Sequence, residues 1–437
     1  MISRRGFLAA TGAAGLTGLA GASPVGAEQV GSIAPVQGLD RPVGAAAVLA
    51  RDEAYWARVA AQYRIGDSYL NLEAGYFGVM AAPVLAEYHT QIDRVNRDSS
   101  YYARREGLRD VEAARARVAR FLGAAPEEIA FTRGATEALQ RLIMQYRPVR
   151  SGGSVIVADL DYASMQQAMR ALAAERGAQV VSLVIPEPAT RASVLELYRD
   201  ALLSAPTGSL LLLTHLNNKT GLIIPVREIV AMARERGVGV IVDAAHSFGQ
   251  CDLTLADLDA DFVGLNLHKW LGAPIGTGIM YIRRERLADI APMLGDDGPA
   301  DRIESRMHTG TANFANFLTV PAALDFHEAV GGAAKALRLR YLRDRWVDAV
   351  RDTPGLQLLV PDDPGMSAAI TSLRRTGQRS KAENQALVTT LLERFDIFTV
   401  WRTGIAGGDC VRVTPALYNT PADLDRLAAA LREVAAA

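Results

Sequence analysis

Short runs of apolar and β-branched residues, each closed by a polar loop, recur through the middle of the chain. Ile129–Phe131, Val155–Ala158, Val180–Val184, Leu210–Leu213, Val238–Val242 and Phe262–Leu265 are such runs. Runs of this length bounded by turn signals read as buried strands. Stretches with helical character separate them; one opens near Pro225, a residue suited to a first helical turn, and runs to about Arg236. This alternation predicts an α/β fold with a largely parallel sheet, whose ligands gather at the C-terminal strand ends. Ile279–Ile282, reached through Gly272, Gly276 and Gly278, is expected as a sheet-edge strand.

Outside this region the patterning changes. Asp52–Tyr63 reads as a short helix, and residues 69–78 as a packed loop whose aromatics suit a substrate-side wall. Leu108, Val111, Ala114, Val118, Phe121 and Leu122 follow helical spacing, with arginines on the other face. After helical spacing from Val320 to Val350, strands near Ala369–Leu373 and Val411–Val413 and helices near Ala382–Phe395 and Pro421–Val434 suggest a smaller α+β unit. The expected organisation is a leader over 1–27, a linker or arm over 28–80, a large domain over 81–310 and a small domain over 311–437.

A chain of 437 residues can bury a sizeable core. The net charge of −1 gives no reason to expect nucleic acid or an anionic membrane surface as a partner. Two cysteines, Cys251 and Cys410, are too few for a disulfide framework, though one bridge between them is open. Arg4-Arg5 ahead of the Ala/Gly-rich stretch Ala9–Ala22 has the layout of a twin-arginine export signal, which predicts a periplasmic location. No later segment offers the roughly 20 apolar residues of a membrane span.

The chemistry concentrates between Val238 and Trp270. The first strand run there ends on Asp243, with His246 three residues on, and the second leads to His268-Lys269. Neighbouring strand ends would bring Asp243 and Lys269 to one crevice. A pyridoxal-phosphate enzyme needs that pair, a lysine for the Schiff base and a carboxylate for the pyridine nitrogen. Taken singly, the first is as readily a loop cap and the second a solvated lysine. Upstream, Gly134 turns a strand into a helix starting near Ala135, where free N–H groups and the Thr136 hydroxyl suit a phosphate. No Gly-x-Ser-x-Gly elbow and no His-Glu-x-x-His motif occurs, which argues against a serine hydrolase and a zinc enzyme.

Further motifs fall in a fixed order: Tyr69-Leu70-Asn71, Tyr102-Ala103-Arg104-Arg105, Gly134-Ala135-Thr136-Glu137, Asn218, Val242–His246, His268-Lys269, Gly310-Thr311, and Arg412 ahead of Tyr418-Asn419-Thr420. With these the chain resembles the class V aminotransferases, pyridoxal-phosphate enzymes of the type I fold, and among them the isopenicillin N epimerase-like proteins. The resemblance covers nearly everything after about residue 65. It implies pyridoxal 5'-phosphate bound through Lys269, which also serves as the base at the α-carbon, with Asp243 on the ring nitrogen. It implies Gly134, Ala135 and Thr136 at the phosphate, with His268 nearby. Tyr162 would stack on the ring, and Asn218 and His246 would contact the phenolic oxygen. Thr311 would reach the phosphate of a second copy, implying a homodimer with shared sites. Arg412 would bind the carboxylate of a small amino-group substrate, with Asn71 on the substrate side.

Transamination, epimerisation, elimination and decarboxylation all remain open on these residues. Related cysteine desulfurases carry a nucleophilic cysteine on a loop upstream of the matching arginine; here Cys410 lies two residues before Arg412 and no cysteine stands between it and Cys251. The export signal suggests an enzyme that tailors a secreted metabolite such as a siderophore.

Overall fold

The structure, a computed structural model, describes residues 39–307, 310–359, 361 and 363–436. The expected export signal at 1–27 lies outside these residues, as do His308 and Thr309 ahead of Gly310. After a short strand β1 (Leu70–Asn71), seven strands build the main sheet. They are β2 (Ile129–Thr132), β3 (Ser154–Ala158), β4 (Gln179–Leu183), β5 (Leu210–Thr214), β6 (Gly239–Asp243), β7 (Phe262–Asn266) and β8 (Gly278–Ile282). Across the sheet they run β2-β8-β7-β6-β5-β3-β4. The pairs from β4 to β7 are parallel, while β8 is antiparallel to both β7 and β2.

The strand at Ile279–Ile282 is therefore interior and not at the expected edge. The short return after Lys269 delivers β8 beside β7, and β2 covers its other side, which is why all five of its residues are buried. Strands buried on both faces need apolar residues at every position. In β5, Leu210 and Leu212 face one core while Leu211 and Leu213 face the other.

The helix expected near 107–123 is Leu108–Leu122. It continues Ala82–Tyr102 through a π-helical turn, Ala103–Gly107. Leu108, at the start of the helix, is 71% exposed, while Arg115, expected on the solvent face, is buried beside Val118 and Ala119 and paired with the Ile129 carbonyl and with Glu304 at 2.8 Å. The Tyr102–Arg105 motif lies in this scaffold: the Tyr102 hydroxyl donates to Asp110.

The C-terminal part forms a second sheet from β9 (Leu356–Leu358) and β10 (Thr371–Arg375). After β11 (Ile397–Phe398), β12 (Val400–Arg402) and β13 (Cys410–Val413) complete that sheet in the antiparallel order β12-β13-β10-β9. β1 pairs in parallel with β11, and Leu70 and Leu72 enter the C-terminal core beside Trp346, Val411 and Leu431. Residues read as a loop of the arm thus give the small sheet a neighbouring strand and part of its core.

β8 and the turn at Gly134 approach so closely that a Cβ on Gly278 would lie 2.6 Å from Gly134 Cα and 2.7 Å from Leu265 O. Gly278→Ala should cost about 1–3 kcal/mol through overpacking against backbone. Gly66→Ala, where a Cβ meets nothing within 4 Å, should stay within about 0.5 kcal/mol of the parent. Denaturant unfolding of the two variants checks this, and equal stabilities would refute the contact.

Candidate active site

The C-terminal ends of the central strands open on a cavity of about 570 Å³. Asp243 closes β6, Tyr162 follows β3, Asn218 follows β5, and His268-Lys269 follow β7. Parallel neighbours end at the same edge, so residues distant in sequence meet there. Gly134, Ala135, Thr136, His246 and Arg412 line the same space. Of the residues singled out from sequence, Asn71 and Thr311 alone are not brought to it. The Asn71 side-chain oxygen accepts the Glu73 N–H at 2.9 Å, a local turn contact. Thr311 borders a separate cavity with Arg133 and Glu137.

Lys269 is tied to an imidazole. Trp270 Nε1 lies 3.3 Å from His246 Nδ1. An indole N–H only donates, so Nδ1 accepts and the proton of the neutral ring sits on Nε2. His246 Nε2 is 2.7 Å from Lys269 Nζ and donates to the lone pair of an unprotonated amine. The electrostatics agree. Burial pushes the His246 pKa well below its ordinary value, and a proton on Lys269 would lower it further. Burial, and then the Arg412 charge, lower that of Lys269. Behind this group Lys335, itself buried, donates to the Trp270 carbonyl, and the Gly78 N–H donates to His268 O at 2.9 Å. The backbone on both sides of Lys269 is fixed.

Asp243 is 4% exposed and accepts the Ala245 N–H at 2.9 Å. Burial raises its pKa; a protonated ring nitrogen would supply the cation that favours its ionised form. At the far end the helix Ala135–Met144 points its N-terminus at the cavity. The Ala135 N–H, expected at a phosphate, is already given to Asn266 Oδ1 at 2.8 Å. That contact anchors the turn to β7 and leaves the first-turn donors of Thr136 and Glu137, with the Thr136 hydroxyl, for an anion. His268 Nδ1 lies 2.8 Å from Thr277 O; a carbonyl only accepts, so this nitrogen carries the proton and the ring is held in one orientation. A buried carboxylate, a tyrosine and an anion-binding helix end fit the ring nitrogen, face and phosphate of pyridoxal phosphate.

At the end of the cavity nearest the C-terminal sheet, two arginines share one carboxylate. Arg412 has a side chain only 1% exposed; Nη1 donates to Asn218 O at 2.8 Å and Nη2 to the Glu73 carboxylate. Arg402, at the end of β12, sits 3.5 Å from the same Glu73 oxygen, keeps a quarter of its side chain exposed and lines the cavity. A ligand carboxylate taking the place of Glu73 on Arg412 would have to leave the Glu73 charge another partner or a path to solvent. Glu73, Arg402, Asn266 and Lys335 were not legible as site residues; a glutamate in an aromatic segment was the one local signal for Glu73.

The model of the family described as aminotransferase class-V matches residues 81–427. Isopenicillin N epimerase of Amycolatopsis lactamdurans is 29% identical over 398 residues, covering 87% of this chain and 98% of the relative. That of Streptomyces clavuligerus is 31% identical over 349 residues, covering 74% and 85%. Among solved structures, the apo cysteine desulfurase of Thermococcus onnurineus NA1 superposes with a TM-score of 0.74 at 19% identity, covering 87% of this chain and 98% of that one. The likeness extends over the type I fold, with its mixed sheet between helices.

Two outcomes follow from the geometry around Lys269. Trp270→Phe removes the donor that fixes the His246 tautomer, so Lys269 can retain its proton. The pH midpoint for capture of pyridoxal phosphate, read by absorbance, should rise by about one unit; an unchanged midpoint would contradict the tautomer assignment. Burial lowers the Lys335 pKa to about 7, whereas a lysine in the unfolded chain titrates near ~10.4. Between these values the unfolded chain binds the proton the folded one has released, so this group makes stability rise with pH from about 7 to about 10. Lys335→Met should flatten that part of the Tm–pH profile; a curve parallel to the parent's would count against it.

Proposed function

The chain belongs to the aminotransferase class-V family, whose cofactor is pyridoxal 5'-phosphate, and from that premise we propose that it acts at the α-carbon of an amino acid or peptide-like amine, as a transaminase or epimerase. The observation that carries this reading is the 2.7 Å contact of Lys269 Nζ with His246 Nε2 in the cavity that the buried Asp243 also lines. When bound, the cofactor supplies an aldehyde for an amine and a ring that withdraws electrons from the α-carbon. Asp243 keeps the ring nitrogen protonated. Lys269 Nζ, with a lowered pKa, takes and returns the α-proton near neutral pH. His246 Nε2 orients that amine, and its tautomer is set by Trp270. Tyr162 would flank the ring, while Thr136 and the helix N-terminus, which line the same cavity, would hold the phosphate.

Both cysteines are free thiols, and burial pushes each pKa up to about 12. A thiol so protonated is a poor nucleophile, which weighs against sulfur transfer through a cysteine of this chain. In this reading the substrate is a secreted metabolite, a siderophore for example, met in the periplasm after twin-arginine export; Arg4-Arg5 ahead of Ala9–Ala22 supports it. A homodimer with shared sites is part of the same reading. Its support is Thr311, which is exposed and borders a cavity other than the one that holds Lys269. Among the described residues, no helix is long and apolar enough to cross a membrane.

The test is to incubate the loaded protein with D- and L-amino acids and siderophore precursors in deuterium oxide, followed by mass spectrometry. An oxo product marks transamination, deuterium at the α-carbon with inversion marks epimerisation, and loss of a side-chain fragment or of carbon dioxide marks the lyase and decarboxylase alternatives. Lys269→Ala should lower turnover by about 10²–10⁴. Absence of turnover for every amine would sink the proposal.

A further inference from the structure

A second acid, Asp161, is buried two strands away from Asp243 and does not line the cavity. It follows β3, is 1% exposed and gives both carboxylate oxygens to neutral donors. Oδ2 accepts the Ala158 N–H at 2.7 Å, and Oδ1 accepts the Thr214 hydroxyl at 2.7 Å. Thr214 closes β5, is buried, lines the cavity and stands opposite Asp243 in the parallel register of β5 and β6. Two carboxylates thus flank the end of one strand, with a threonine between them.

Buried acids ionise at a cost that a nearby cation offsets. Burial first, and then the Asp243 charge, push the Asp161 pKa up to about 7 against the pull of its hydrogen bonds. Among the described residues, none of the other ionisable groups near Asp161 bonds to it. Burial keeps Tyr198, on the helix Arg191–Ser204, protonated. Asp159 accepts the Ile185 and Ala406 N–H groups. Lys219 turns its amine to the carbonyls of Asp159 and Gly404, and burial lowers its pKa.

We propose that Asp161 is a positioning residue for the ring-nitrogen proton of pyridoxal phosphate: with Asp243 it forms a carboxylate pair, bridged by Thr214, whose counter-ion is the protonated ring. The Thr214 hydroxyl has one proton, and Asp161 takes it. Thr214 therefore donates nothing to Asp243, whose carboxylate keeps its full affinity for the ring proton. The Asp161 charge adds to that of Asp243 and raises the pH at which the ring nitrogen is deprotonated. Ring protonation governs how strongly electrons are drawn from the α-carbon, so a residue outside the cavity sets a property of the cofactor. The inference rests on the placement of Asp243 at the ring nitrogen in the proposed function.

The protein can be loaded with pyridoxal phosphate that carries an NMR-active nitrogen isotope in the ring, and the shift of that nitrogen followed across pH. Asp161→Asn should lower the deprotonation midpoint by about one unit. Thr214→Val, which withdraws a hydrogen bond from the Asp161 carboxylate, should lower it by less, and Thr214→Ser should keep the parent value. A merely structural Asp161 would change the Tm and leave the midpoint where it was, which overturns the inference. If Asp161→Asn does not fold, the threonine pair decides: equal midpoints in Thr214→Val and Thr214→Ser overturn it as well. Asp243→Asn separates the two readings. A midpoint that falls in Asp243→Asn but not in Asp161→Asn ends the inference and leaves the proposed function standing. A midpoint that neither variant moves shows that Asp243 does not hold the ring nitrogen, and the proposed function falls with the inference.

Discussion

A side chain that forms an ammonium ion cannot keep its proton at little cost once water is removed from around it, and the centre of this protein is arranged on that fact. Lys269 lies in a cavity walled by fully buried strands, next to two guanidinium groups. Each of these favours the neutral amine. The imidazole of His246 then serves as a donor, because Trp270 already occupies its other nitrogen. Sheet, loop and tautomer thus agree on one protonation state of one atom. The rest of the cavity follows: a carboxylate on the adjacent strand, a helix terminus at one end and fixed cations at the other.

The two ends of the cavity are built differently. The anion site near Thr136 is mostly backbone, presented by a helix whose preceding turn is pinned by Asn266 to the next strand of the site. The opposite end is side-chain charge, contributed by Glu73 from the N-terminal segment and by Arg402 and Arg412 from the C-terminal sheet. A backbone cradle suits an invariant phosphate. A cluster of arginines balanced by an acid can be retuned by single substitutions, which suits the side that meets a variable substrate.

Much of this was legible in the sequence because it is local. Asp243 and Lys269 each follow a run of β-branched or apolar residues, and parallel neighbours place both strand ends on one rim. Gly134 ahead of Ala135 marked the helix start without help from the fold. What was not legible depends on contacts across the chain. Glu73 meets Arg412 from 339 positions away, and nothing in the spacing of either residue announces the other. The side-chain oxygen of Asn71, expected at the substrate, accepts within the turn of its own segment. The strand at Ile279–Ile282 looked like an edge because the glycines before it resemble an exit from the sheet; the antiparallel β2 that covers it comes from far upstream. Arg115 looked solvated because the partners that bury it, the Ile129 carbonyl and Glu304, come from other segments.

The segment between β1 and Gly78 joins these parts mechanically. Its start is hydrogen-bonded into the C-terminal unit through β11 and Thr414, its middle supplies Glu73 to Arg412, and its end bonds to the carbonyl just before Lys269. It is a tether with one end on the arginines of the C-terminal sheet and the other on the loop of Lys269. Any shift of the small sheet toward a bound ligand is carried along this tether to the loop of Lys269, so ligand grip and amine position form one mechanical degree of freedom.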